Sequence, residues 1–587
     1  MLHRRDLLRR LPASAAGVLL APHRPPAAPV RDEEGAVFVH GVASGDPTAE
    51  AVVLWTRVSG ARGRGDVDVR WTVASDPELR QVVAGGDTRA RAERDWTVHV
   101  DVGGLAPAST WWYGFEALGQ RSPTGRTRTA AGPDDDRELR LGVVSCASYA
   151  AGHFTAYRHL AERDLDLVVH LGDAIYETED GPSVRRHLPS NDPVTLGDYR
   201  LRHAQYRRDP DLQVLSQRVP LVAVWDDHEV AADAWEGGAA GHNPATQGPW
   251  SERRAAALQA YLEWVPLRRP DPSAPERVWR SLPLGANGEL VLVDTRHDGR
   301  DRQVGSHLAD PGAALADPQR RIMSPEQEAW LARRLESAAG AWRIVANQVV
   351  LSPLRYQLPE SVGPVANPLG LVVAGTVMNP DQWDGYPAAR RRLLEVIEDD
   401  AVGPVVVLTG DIHSSWAFDV PSQAEPGAPS VAVELVAPSV TSASFAQILG
   451  PDSELVAQGL AAVVQDQLPH VRWTDIRRHG YVVIGVSPER VQGDWWHVES
   501  VDDVASGEHH GASWSVVNGD PRLRPAPAPL EDRLLPPPLP VPPPSVPASG
   551  RPPGGTQGLP RALQVLGAVV LTGGGALLAL RRRGRRG

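Results

Sequence analysis

Short alternating runs of apolar and polar residues fill the chain from Val37 to Thr129. They include AVVLWTRV at 51–58, DVRWTVASD at 68–76, DWTVHVDV at 95–102 and STWWYGFEALG at 109–119, with turn residues between them. Strands at that spacing predict an all-β sandwich over residues 31–131. Its tryptophans are expected in the core and not as a ligand platform. From Leu139 the texture changes. Continuous apolar runs alternate with stretches of helical character at 154–163, 197–217, 251–264, 325–338 and 387–398. This predicts an α/β domain with buried sheets over residues 138–517. The segment 325–338 has a clear start: Ser324 as cap, Pro325 in the first turn and Gln327 three residues past the cap.

The apolar runs end on chemistry. LRLGVVS leads to Cys146, LDLVVHLG to Asp173 and Tyr176, and PLVAVW to Asp226, Asp227, His228 and Glu229. ELVLV leads to Asp294 and Arg296, RIVA to Asn347 and Gln348, and PVVVLTG to Asp411 and His413. Core packing predicts the opposite, because unpaired charges are rarely buried. Carboxyl ends of strands are where open α/β sheets bind ligands, so these residues are expected to share one site. Carboxylates, a phenol, a thiol and an imidazole suit two metal ions. Phenolate and thiolate together favour iron over magnesium, and the remaining carboxylates suit a second, harder divalent ion. Two such ions can polarise a water and neutralise an in-line phosphoryl displacement.

Composition narrows the alternatives. The chain has 587 residues and a formal charge of -12, from 72 acidic and 60 basic residues, which argues against a polyanion surface; no nucleic-acid-binding module is expected. There is no lysine, which excludes a P-loop and Schiff-base chemistry. No G-x-S-x-G elbow is present. The single Cys146 can form no internal disulfide. Both termini carry targeting signals. Residues 1–30, with Arg4-Arg5 ahead of Leu7-Leu8, read as a twin-arginine export signal, implying the twin-arginine translocase as a partner. Residues 518–560 are a proline-rich stalk, 562–580 an uncharged run of one bilayer's length, and 581–587 a basic tail. The expected layout is an exported body on the outer face of the membrane, tethered by a C-terminal transmembrane helix.

Leu105 and Pro107 ahead of Thr110-Trp111-Trp112-Tyr113, with GRTRT at 125–129, resemble a fibronectin III/immunoglobulin-like module. SC at 145–146, GDAIYE at 172–177, WDDHEVA at 225–231, VDTR at 293–296 and TGDIHSSW at 409–416 resemble the PhoD-type alkaline phosphatases of the metallophosphoesterase superfamily. HGVASGDPTAEAVVLWTRV resembles that family's N-terminal β-domain, and the resemblance runs from about residue 37 to 517. It implies a four-layer sandwich of two sheets flanked by helices, acting as a monomer on phosphate mono- or diesters. It also implies Fe(3+) held by Cys146, Asp173 and Tyr176, with Asp173 bridging to Ca(2+), and Asp227, Asp411 and His413 completing the cluster. Asp226 is counted with the metal set, as a ligand or, like Glu229, as a supporting carboxylate. His228 matches a histidine that contacts phosphate and protonates the leaving group, though a ligand role stays open. Arg296 is either a phosphate clamp or the partner of Asp294. Ala232 stands where many relatives have Asn. Two other readings remain: a phospholipase D-like diesterase acting on lipid or wall polymers, and a surface adhesion protein with an inactive body.

Overall fold

The computed structural model describes residues 35–533 apart from 62, 179–182, 270–272, 275, 305–312, 358–375, 400, 426, 445, 446 and 448–453. Two large sheets carry the α/β body. The first has ten strands in the order Asp520–Pro525, Glu508–Val517, Arg490–Val498, Gly480–Val486, Leu139–Val144, Leu167–His170, Leu221–Ala223, Val42–Gly45, Val52–Arg57 and Thr97–Val102. The second has seven: Arg280–Pro283, Gly288–Leu292, Trp342–Ala346, Val405–Thr409, Ser430–Val436, Ser415–Pro421 and Val471–Asp475.

The period-2 alternation of the second sheet decides what lies on each face. Leu290, Leu292, Ile344, Ala346, Val406 and Leu408 join Leu141, Val143, Val168 and Ile484 in the core between the sheets. Their neighbours Val291, Val293, Val345, Val405 and Val407 point the other way, onto Leu331 and Leu335 of the helix Pro325–Ser337 and Leu394 of Pro387–Ile397. The helices Thr155–Ala161 and Pro210–Arg218 pack together against the first sheet. The four layers are therefore helix, sheet, sheet and helix, as expected.

The N-terminal region is all-β, but its two halves have different allegiances. Val67–Ala74, Val82–Ala90, Thr110–Ala117, Gln120–Arg121 and Gly125–Arg128 form a sheet of their own. Val42–Gly45, Val52–Arg57 and Thr97–Val102 instead extend the ten-stranded sheet, through a parallel contact of Gly45 with Leu221. Trp55 is buried; its indole N–H donates to the Glu263 carbonyl at 2.9 Å and its ring lies 5.8 Å from Trp264 of the α/β body.

The expected membrane tether is corrected. No helix among the described residues is long and apolar enough to cross a membrane. The export signal 1–30, the run 562–580 and the tail 581–587 lie outside the described residues.

Candidate metal centre

Two trios of parallel strands build the site. In the first sheet Leu139–Val144, Leu167–His170 and Leu221–Ala223 run side by side, and in the second so do Gly288–Leu292, Trp342–Ala346 and Val405–Thr409. Their carboxyl ends converge, and a bridge between Ser145 and Ser439 links the two sheets there. The chain must turn sharply off each strand. Cys146, Asp173, Asp411 and His413 do so with φ of 58°, 55°, 64° and 52°, the left-handed region that costs a side-chain-bearing residue about 1 to 3 kcal/mol. Four strained residues at three strand ends, all facing one centre, mark a functional constraint.

The donors fall into three overlapping sets. Cys146, Asp173 and His413 form one, Asp173, Asp227 and His228 a second, and Asp226, Asp227 and Asp411 a third, each with ligand atoms within 4.8 Å of one another. Asp173 belongs to the first two and Asp227 to the last two. Tyr176 joins the first set: its hydroxyl donates to Asp173 Oδ2 at 2.8 Å and lies 3.0 Å from His413 Nε2. His413 Nδ1 sits 3.0 Å from the Ala443 carbonyl, an acceptor only, so the proton belongs on Nδ1 and the Nε2 lone pair faces the cluster. Cys146, Asp173, Tyr176, Asp226, Asp227, His228, Asp411 and His413 thus lie in one cluster, while Asn347 bonds the Val349 carbonyl and Gln348 bonds Thr295 and the Val293 carbonyl instead.

The supporting shell is equally specific. Glu229, fully buried, accepts from the backbone N–H groups of Asp173 at 3.0 Å, Ala174 at 2.6 Å and Asp226 at 2.8 Å, so one carboxylate ties two strand ends together. His228 Nδ1 lies 2.6 Å from Glu177 Oε2, and its ring stacks on Tyr176 at 4.1 Å. Glu177 Oε1 accepts from the Ala232 N–H at 2.8 Å, so position 232 contributes backbone here and its side chain no polar contact. Arg296 turns its guanidinium away from Asp294, whose Oδ1 accepts from the backbone N–H groups of Arg296 and His297. Its guanidinium meets Asp226, Asp381 and Asp411 instead.

The electrostatics show an unmet demand for positive charge. Burial raises Asp173 well above the ordinary carboxylate range, and Asp227, Glu229 and Asp411 push it further against the pull of His228. Burial likewise raises Asp226 despite Arg296, and raises the Cys146 thiol, with Asp173 adding to the effect. For His228 burial alone would discharge the ring, but Glu177, followed by Asp173 and Asp227, outweighs it and holds the pKa well above the usual value. Asp226 Oδ2 and Asp227 Oδ1 are buried without a hydrogen-bond partner. Buried oxygens of this kind, beside a thiol, a phenol and an imidazole, are what metal ions satisfy, and the donor set fits them.

Glu177, Asp381 and Gln382 were not among the residues expected at the site. Glu177 ends the GDAIYE stretch, directly after Tyr176. Asp381 and Gln382 lie in NPDQWDG, directly after the apolar stretch LVVAGTVM at 371–378, so the strand-end pattern extended to that stretch would have reached them.

Paired sheets whose strand ends gather a buried cluster of metal donors place the chain in the metallophosphatase-like α/β class. The chain belongs to the PhoD-like phosphatase family, whose model matches residues 141–495, while the family's N-terminal domain matches 24–131. It is 34% identical over 480 residues to alkaline phosphatase D of Bacillus subtilis (strain 168), covering 78% of this chain and 77% of that protein. A solved structure of PhoD superposes with a TM-score of 0.74 at 31% identity, covering 85% of this chain and 94% of that one.

Proposed function

We propose that the chain hydrolyses phosphate mono- or diesters with a mixed pair of metal ions. Cys146, Asp173, Tyr176 and His413 would hold iron, and Asp173, Asp227 and Asp411 would hold a harder divalent ion such as calcium, with Asp173 shared. The observation that carries this reading is Asp173 itself, common to a set with sulfur and nitrogen donors and to an oxygen-rich one. When bound, the ions supply Lewis-acid charge stabilisation and lower the pKa of water.

The chain's own residues supply the rest. Cys146, Tyr176 and Asp173, all buried, keep bulk water from the cluster. Glu177 and the Tyr176 ring fix the plane of His228, and Glu177 favours its protonated form, so His228 can deliver a proton to the departing alkoxide oxygen. His228 and Asp411 are the least buried of the group, with side-chain exposures of 10% and 14%, so an ester would enter on their side.

The test is hydrolysis of a chromogenic phosphomonoester and a chromogenic phosphodiester by purified protein, with elemental analysis, before and after chelation. Cys146→Ala and Asp173→Asn are each expected to lose at least about 100-fold in rate. Undiminished turnover in both variants would end the proposal.

A further inference from the structure

Arg296 is fully buried at the end of the strand Gly288–Leu292, and the acidic side chains around its guanidinium account for its contacts. Nε donates to Asp226 Oδ1, Nη1 to both oxygens of Asp381 at 2.8 Å, and Nη2 to Asp411 Oδ1 at 2.7 Å; Nη2 is also 3.6 Å from Asp227 Oδ1. Asp381 is itself fixed. It accepts from Arg300 Nη2 at 2.6 Å and Gln303 Nε2 at 2.7 Å, and Arg300 is anchored on the Thr295 carbonyl at 2.8 Å.

A guanidinium that clamps phosphate must turn N–H groups toward open space, and this one has its three nitrogens on carboxylates at zero exposure. Asp411 tells the same story from the other side. Arg296 holds its Oδ1 and Gln382 Nε2 holds its Oδ2 at 2.6 Å, so both oxygens are oriented before any ion arrives. Asp226, Asp227 and Asp411 would otherwise repel one another across less than 4.8 Å.

We infer that Arg296, anchored by Asp381, is a positioning residue: a fixed internal cation that holds Asp226 and aims Asp411 and Asp227 at the oxygen-bound ion, without touching the substrate. This deepens the metal-dependent reading above and rests on it. Arg296 acts on how firmly the metal is held, not on how phosphate binds.

The experiment uses the full chain in its metal-loaded form. Wild type, Arg296→Met, Arg296→Lys and Asp381→Asn are titrated with a calcium chelator, and the metal retained is measured by elemental analysis. Inhibition by inorganic phosphate is measured in parallel at saturating metal. Arg296→Met is expected to release its divalent ion at about tenfold less chelator, or lower still, with phosphate inhibition within about threefold of wild type. Arg296→Lys should not restore retention, because an ammonium cannot make the planar fork. Asp381→Asn, which leaves Arg296 in place but loosens it, should shift retention in the same direction and decides the matter if Arg296→Met does not fold. Phosphate inhibition weakened about tenfold, with metal retention unchanged, would overturn the inference and make Arg296 a clamp. Wild-type protein that holds no metal would instead overturn the metal-dependent reading, and the elemental analysis of that one sample tells the two failures apart.

Discussion

Glu177 shows how much a single buried side chain controls. One of its oxygens holds the Ala232 N–H and the other holds His228, and the second contact both orients the ring and stabilises its charge. The imidazolium returns the favour: although burial opposes it, the charge of His228 brings Glu177 down to about 2. Glu177→Gln keeps the shape and removes the charge. Its expected outcome is a fall in kcat of about 10- to 100-fold with KM and metal content near wild type, measured by steady-state kinetics and elemental analysis. The donors themselves were legible in the sequence because thiol, phenol, imidazole and carboxylate each followed an apolar strand. Their supports were not: the role of Glu229 depends on three N–H groups from two separate strands, which no local pattern encodes.

At the level of elements, apolar runs located strands well and helices less completely. The stretch 197–217 reads as one helix but forms two, Leu196–Tyr206 and Pro210–Arg218. The break comes from Asp209, which caps the second helix by accepting from Asp211 N–H at 2.9 Å and Leu212 N–H at 3.1 Å, with Pro210 in its first turn. Ser324 does cap the helix Pro325–Ser337 through the Gln327 N–H at 3.1 Å, yet Gln327 does not reach back to it. Its amide instead pairs with the backbone of Asp294, accepting at 2.7 Å and donating at 3.0 Å, so tertiary need overrides the local motif. The turn after Leu167–His170 has no room for a side chain. Gly172 has φ of 105°, and a Cβ there would come within 2.4 Å of Asp226 Cβ and 2.5 Å of its backbone nitrogen. Gly172→Ala should therefore separate Asp173 from Asp226, with metal content and hydrolysis falling together; calorimetry and elemental analysis would register both.

For the whole molecule, the boundary expected near residue 131 is crossed by a shared sheet and by a buried ion pair. Arg280 donates to Asp46 Oδ2 at 2.9 Å and Oδ1 at 2.5 Å, with both side chains at most 6% exposed. Asp46→Ala would strand a buried guanidinium and is expected to cost about 3 to 5 kcal/mol in denaturant unfolding. Acid should act across the body as well. Burial lowers His497 to about 4 and His170, His203 and His479 to about 3, from 6.5. Each binds its proton in the unfolded chain before it can in the folded one, so their contribution to stability is full above about pH 6.5 and is lost as the pH falls toward 3. A melting temperature that drops across that interval, with proton uptake on unfolding, is the expected result.

The left-handed turns at Cys146, Asp173, Asp411 and His413 imply that this protein works below the stability its sequence could reach. Glycine at any of them would relax the backbone at the expense of a donor atom. Metal-free Asp411→Gly gains that relief but leaves Arg296 Nη2 and Gln382 Nε2 without their acceptor, so it should melt close to the metal-free parent while catalysing nothing, an idle version of the same chain.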